Sequence, residues 1–402
     1  MRNSKGLFLS ITIILLPISY AFDSYLSYYD EIFVLGYLIY VILFYLKSFL
    51  INHKWIILYI LMLYLLGLLS NLYSNYIYST FSILIDLFTG FKQFLIFMIM
   101  STIVTKRDKR DFIKSLVWIS KAYLVLACLF ALLSQFVDLG MTNDLRYGIK
   151  SFAFLSGNNS GFGITIILCL LILAASNIRI MTFVIYFLIA GVSLVLTTKG
   201  VIYSFFTFFI IIYLFSNKSK LRKRDFILLI SSLIAVSSFQ MKEYLLNNDS
   251  PRMFIILSAY DIANDNFPLG SGFASFGGDQ ARINYSPLYI KYGFKNIYGL
   301  SKQQDMFLND NYLAMILAQT GYFGLLFYLI ILYNIFQIIN KDVELAFRLK
   351  NLMISALLML YVSSIATGII KTPNGVLIFA ILGILLSHKF SNIIRYYEKK
   401  NS

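Results

Sequence analysis

Three residues of this 402-residue chain have the chemistry and the surroundings of a site that handles anions and hydroxyl groups: Arg252, Asp310 and Lys199. Arg252 follows Ser250-Pro251, which supplies an N-cap and a first-turn proline, so its guanidinium opens a short helix. A planar guanidinium meets phosphate oxygens two at a time. The plain alternative is a solvated charge. Lys199 lies in Thr197-Thr198-Lys199-Gly200, a tight turn between two apolar runs. An ammonium beside two hydroxyls there binds an oxyanion, or it snorkels from the membrane edge. Asp310 stands just before another apolar run. A carboxylate in that place either caps the helix or acts as a general base, and the second role requires burial to lift it above its usual value of about 3.9. These three are the candidate catalytic residues.

A second set is placed to bind substrate. Arg146 and Arg282 each have a glycine eleven positions later, Gly157 and Gly293. With 22 glycines in the chain one such match is ordinary, and the pair is the stronger signal; the alternative is loop solvation. Asn158-Asn159 open an apolar run after Ser156-Gly157, where an amide caps a helix or meets a sugar hydroxyl. Other chemistries find no support. There is no Gly-x-Gly-x-x-Gly or Walker loop, no Cys/His metal spacing and no Asp-x-Asp pair, so no metal and no cofactor are expected. His53 and His388 fall at the ends of apolar runs, and Cys128 and Cys169 lie inside them. Any leaving phosphate must then be neutralised by Arg or Lys.

The elements that must position these residues are membrane helices. The chain is 59% hydrophobic and 13% charged, about half the charge of a soluble domain. Apolar runs of about 20 residues recur, each able to cross a ~30 Å hydrocarbon core as a helix. About twelve spans are expected, near 6–22, 32–51, 55–72, 84–104, 112–137, 159–176, 180–197, 200–216, 226–241, 311–338, 351–370 and 374–390. The stretch Tyr76–Val104 holds Asp86 and Lys92, and reads as a broken or re-entrant helix. The first run, after Arg2 and Lys5, reads as a retained span. The fold class is therefore all-α: a single polytopic membrane domain over 1–402.

Lys and Arg set the orientation. Lys47 and Lys54, the cluster from Lys106 to Lys114, Arg179, the run Lys218 to Arg224, and Lys341 to Lys350 alternate with segments carrying only Arg146, Lys150, Lys199 and Lys371. Both termini are then cytoplasmic. The net charge of +15 is spread in these short clusters, which speaks against nucleic acid and for a lipid bilayer as partner. The same bias puts the one long polar interruption, 241–310, outside. A short interfacial helix is expected near 251–263, with an apolar stripe at Met253, Ile256, Leu257 and Tyr260. Pro268 to Gly272 ends it, with glycines that let backbone approach a helix or a ligand. The rest, through Asp305, reads as irregular loop.

In this order the features resemble the O-antigen polymerase and O-antigen ligase superfamily, the Wzy-type proteins of bacterial envelopes. The resemblance runs from Arg146 to Gly324. Phe154-Leu-Ser-Gly-Asn158-Asn159 is similar to the family's loop and Asn-bearing helix start, and Leu196-Thr-Thr-Lys199-Gly200 to its short turn with a basic residue, where Arg is more usual. Pro251-Arg252 followed by Asn266-Phe-Pro268-Leu-Gly270-Ser-Gly272 resembles its Arg helix and Pro/Gly turn. Asn309-Asp310-Asn311-Tyr-Leu313 and Gln319-Thr-Gly321-Tyr-Phe-Gly324 resemble its entry to the next span. Ligases of the family carry His where Asp310 stands, which favours polymerase. The resemblance implies a glycosyltransferase with a GT-C-like bundle in the bacterial plasma membrane. It would join undecaprenyl-pyrophosphate-linked repeat units into O-antigen or capsule, with a chain-length regulator as possible partner. Ligase-type transfer and a flippase of lipid-linked oligosaccharide are the alternatives. The tiny connection Ser176–Arg179 and the single long loop disfavour a transporter built of two halves.

Overall fold

The computed structural model describes residues 9, 11–13, 15–16, 28–74, 76, 79–146, 148–156, 159–176, 178–198, 227, 231, 250–342, 345, 347–364 and 368–386. The spans expected at 6–22, 200–216 and 226–241 fall largely or wholly outside these residues. The described chain is mostly helical. Its first helices are α1 (Tyr29–Phe44), α2 (Leu46–Ser74), α3 (Thr80–Ile103) and α4 (Lys106–Phe136). A small antiparallel hairpin follows, β1 (Thr142–Arg146) with β2 (Ile149–Phe152). Then come α5 (Asn159–Ala175), α6 (Ile180–Val195), α7 (Pro251–Asp265), α8 (Asp279–Asn284), α9 (Pro287–Lys291), α10 (Tyr312–Lys341), α11 (Phe347–Ser363) and α12 (Pro373–Leu386).

Among the described residues, four stretches are long and apolar enough to cross a membrane: Leu46–Ser74, Thr80–Ile103, Arg107–Phe136 and Tyr312–Lys341. Shorter apolar helices accompany them. Leu43, Leu61, Leu65, Leu129 and Leu188 are all exposed, as they must be where hydrocarbon is the solvent. The centre of the bundle is α12 packed on α3. Every residue of α12 from Asn374 to Leu386 is buried, the mark of a helix enclosed on all sides. Gly383 makes the close approach possible, since a Cβ there would lie 2.5 Å from the Phe97 carbonyl oxygen. Phe94, Phe379 and Tyr328 fill the same layer.

Three expectations are corrected. First, α3 is unbroken. Asp86 and Lys92 are tolerated inside it because each is satisfied: Asp86 accepts from the Ala274 backbone N–H (2.9 Å) and from Gln319 (2.8 Å), and Lys92 pairs with Asp30 (2.6 Å) and Glu31. Second, the expected span 32–51 is interrupted at Tyr45, while the break expected between 51 and 55 is present as a kink at His53.

Third, the expected span 311–338 is not one straight helix. Gly321 has φ 68° and ψ −170°, outside any helix. A straight helix would hold residues 312 and 328 about 24 Å apart, yet the Tyr312 and Tyr328 rings lie 5.5 Å apart. The chain therefore reverses at Gly321. Residues 312–320 form a short arm, and 322–341 run back through the bundle over about 30 Å, one membrane thickness. Only glycine takes this backbone without strain, and a Cβ would also meet the Leu269 carbonyl carbon at 2.8 Å.

Candidate active site

The segment from Ser250 through the short arm forms a cap with its own core. Helix α7 starts where Ser250 and Pro251 dictate and packs on the arm 312–320 through Ile255, Ala259 and Ile262. Ala314 and Ala318 belong to the same core. Of the stripe marked by the sequence, Leu257 (48%) and Tyr260 (53%) are exposed, while Ile256 is partly buried against the cap core. The stretch read as irregular loop is ordered instead, as α8, α9 and a 3-10 turn (Phe294–Asn296) around Phe276, Tyr289 and Phe294. Each buried ring contributes roughly 1.5–3 kcal/mol by leaving water, which folds the segment without any periodic pattern.

Residues 270–278 plug the cap into the bundle. All nine are buried, so their backbone groups need partners. Because α10 reverses at Gly321, the Ala318 and Gln319 carbonyls are left open, and they accept from Ser271 (2.8 Å) and Gly272 (2.9 Å). Gly270 donates to Ser70, Phe273 to Asn71, Ala274 to Asp86 and Gly277 to the Tyr289 hydroxyl. Asn71 donates back to the Phe273 carbonyl. The glycines are demanded by proximity: a Cβ at Gly278 would lie 2.1 Å from an Asp86 carboxylate oxygen. The close approach expected of these glycines is thus to helices.

Beside this plug, segment 305–310 carries a strip of paired charges at the foot of the cap. Arg252 Nη2 lies 2.7 Å from Asp310 Oδ2, with the guanidinium 5.4 Å from the centre of the Phe307 ring. The two side chains are 22% and 26% exposed. Arg282 Nη1 lies 3.1 Å from Asp305 Oδ2. Asn309 donates to Asp279 Oδ1 (2.6 Å), and Asp279 Oδ2 lies 3.8 Å from Lys371 Nζ. Lys371 in turn donates to the Gly277 carbonyl, tying the strip to the plug. The Lys371 ammonium, helped by the Asn309 hydrogen bond and the Arg282 charge, holds the Asp279 carboxyl below its ordinary value against the cost of burial.

Asp310 does not cap α10. Asn311 does, accepting from the Ala314 N–H at 2.9 Å. The Asp310 carboxylate is instead committed to Arg252. Asn159 is buried and holds its own neighbourhood together, donating to Ser151 (2.6 Å) and the Phe152 carbonyl (2.9 Å) and accepting from Asn143 (2.9 Å). Arg146 lies in β1 opposite Ile149. Lys199 and Asn158 lie outside the described residues. Sequence reading thus picked Arg252, Asp310 and Arg282, and the fold brings all three to one strip. It missed Asp279 and counted Lys371 only among the charges that set orientation, and it took Asp86 for a sign of helix breakage.

Two cations paired with carboxylates of one segment can grip a polyanion and present an acceptor for a hydroxyl proton. No family model matches the chain, and no curated protein matches it.

Proposed function

We propose that the protein transfers a glycan from a polyprenyl diphosphate carrier to a sugar hydroxyl on a second carrier-linked repeat unit, as an O-antigen-polymerase-type glycosyltransferase at the outer face of a bacterial plasma membrane. One observation carries this reading: Arg252 and Asp310, 58 residues apart in sequence, meet at 2.7 Å at the foot of a polar cap on an apolar helix bundle. The bundle offers a solvent for the polyprenyl chain, and the strip offers charge for its head group.

In this reading Arg252 and Arg282 hold the diphosphate, with Lys199 and Arg146 as further cations, and Asp310 takes the hydroxyl proton. The acceptor oxygen attacks the anomeric carbon of the donor sugar. The bond from that carbon to the phosphate oxygen breaks, and its electron pair leaves with the carrier diphosphate. Fixed cations aimed at the departing oxygens lower the barrier, because they need no reorganisation as charge develops. Diphosphate is already a competent leaving group, so transfer is expected to continue in EDTA.

The test is extension of a purified lipid-linked repeat unit by the purified protein, resolved as a ladder of products. A ladder supports the reading; a single unextended repeat with folded protein overturns it. A deletion strain separates the alternatives: export of single repeats marks a lost polymerase, no export a lost flippase, and uncapped long polymer a lost ligase.

A further inference from the structure

We propose that Tyr298 is a stacking platform for a pyranose ring of the donor, the sugar next to the diphosphate held at Arg252. Resting on the transfer reading above, this platform adds a contact for the face of a sugar, where that reading assigns contacts only to the phosphates and the reacting hydroxyl.

The platform starts at Arg252. Its guanidinium lies 5.4 Å from the centre of the Phe307 ring. The Phe307 ring in turn lies 6.4 Å from that of Tyr298, tilted at 59°. Phe307 packs at the edge of the cap core and is partly buried, whereas Tyr298 is 67% exposed. The two rings therefore continue the strip outward from the arginine as one aromatic ledge. A diphosphate gripped by Arg252 brings its first sugar onto that ledge.

The backbone holds the outer ring in place. Gly299 has φ 77°, and a Cβ there would lie 2.2 Å from a carbon of the Phe307 ring. Only glycine lets the chain pass flat against Phe307 with this φ, and the passage sets Tyr298 beside the same ring. The Phe307 N–H donates to the Gly299 carbonyl at 3.0 Å, and the Leu300 N–H to the Ile297 carbonyl at 3.1 Å. Leu300 is buried in the cap core. Tyr298 is thus mounted on a fixed turn, and a sugar that stacks on it has little loop to order.

The surroundings suit carbohydrate. A tyrosine ring presents a partly negative face. The C–H groups on one face of a pyranose are made slightly positive by the neighbouring oxygens, and they lie against such a ring while the hydroxyls point to its rim. Lys302, Gln303 and Gln304 are exposed on the same turn, and their ammonium and amide groups supply donors and acceptors for those hydroxyls. Tyrosines also anchor proteins at membrane interfaces, but an anchor does not distinguish a carrier with a sugar from a carrier without one.

The experiment turns on that distinction. Labelled farnesyl diphosphate, a carrier with no sugar, is bound to purified full-length protein, and the purified lipid-linked repeat unit is titrated in to displace it. In Tyr298→Ala, farnesyl diphosphate is expected to bind within about twofold of wild type, while half-displacement needs about fivefold more repeat unit or higher. Tyr298→Phe keeps the aromatic face and should match wild type. Tyr298→Leu keeps apolar bulk without the face and should fall with alanine. Displacement from Tyr298→Ala at the wild-type concentration overturns the platform alone, and so does wild-type behaviour of Tyr298→Leu. Equal losses for farnesyl diphosphate and repeat unit mark a brace or a membrane anchor and overturn it too. Should Tyr298→Ala fail to fold, the comparison of Tyr298→Phe with Tyr298→Leu decides. Wild type that binds no farnesyl diphosphate overturns the transfer reading and the platform with it.

Discussion

The plug 270–278 and the strip 305–310 lie side by side and treat polar groups in opposite ways. In the plug, carbonyls, amides and the Asp86 carboxylate are buried and matched to fixed partners from α2, α3 and α10. In the strip, the Arg252–Asp310 and Arg282–Asp305 pairs stay partly open, from 22% exposure at Arg252 to 39% at Asp305. The first arrangement fixes a position; the second leaves charge within reach of a ligand. An ionisable group inside a membrane protein is thus not a functional group by burial alone: Asp86 is the more buried acid, and its bonds are those of a joint.

Four perturbations can break or sharpen that contrast. The largest effect is expected from Gly278→Leu. Its Cβ would collide with Asp86 at 2.1 Å, and undocking of the plug should cost about 4 kcal/mol or more. Thermal unfolding in detergent and proteolysis within the cap read this out, and an unchanged melting point would remove the plug from the account. Next is Arg252→Ala, expected to lower turnover by two orders of magnitude, ~3 kcal/mol of transition-state stabilisation, with melting within a few degrees of wild type. Equal loss of stability and activity would make Arg252 a brace like Asp86. Arg282→Ala, on the more open pair, should cost about tenfold, ~1.4 kcal/mol. A larger loss than for Arg252 would reverse their ranking.

The smallest effect is a pH dependence at Asp279. Its folded pKa lies below the ordinary value because of Lys371. Its contribution is therefore complete at neutral pH and down to about 3.9, and is lost as pH falls through the depressed folded value. Melting points of wild type and Asp279→Asn should differ at pH 7 and converge in acid. A gap that widens in acid would contradict the pairing with Lys371.

Much of this was legible in the chain, for physical reasons. Apolar length marks helices such as Asn159–Ala175, Ile180–Val195 and Pro373–Leu386, and Ser250-Pro251 marks the start of α7. Arg252 and Asp310 were legible because a charge at the edge of an apolar run has few uses. What stayed hidden depends on partners distant in sequence. Gly321, after Gln319 and Thr320, sits in a run apolar enough as a whole to read as one span, so the reversal becomes visible only when Tyr312 meets Tyr328. The packed face of α7 sets Ser258, Ala259 and Ala263 between Ile255 and Ile262, and its small residues weaken the periodic signal of large apolar ones. Asp86 reads as a flaw in α3 until Ala274 and Gln319, 188 and 233 residues later, arrive to satisfy it.

The measurement that bears most directly on the strip as the seat of chemistry is single-turnover transfer from a purified lipid-linked repeat unit, compared between wild type and Arg252→Ala at matched folded protein. The account predicts products of two and more repeats from wild type and a rate at least a hundredfold lower from the variant. Equal rates would contradict it.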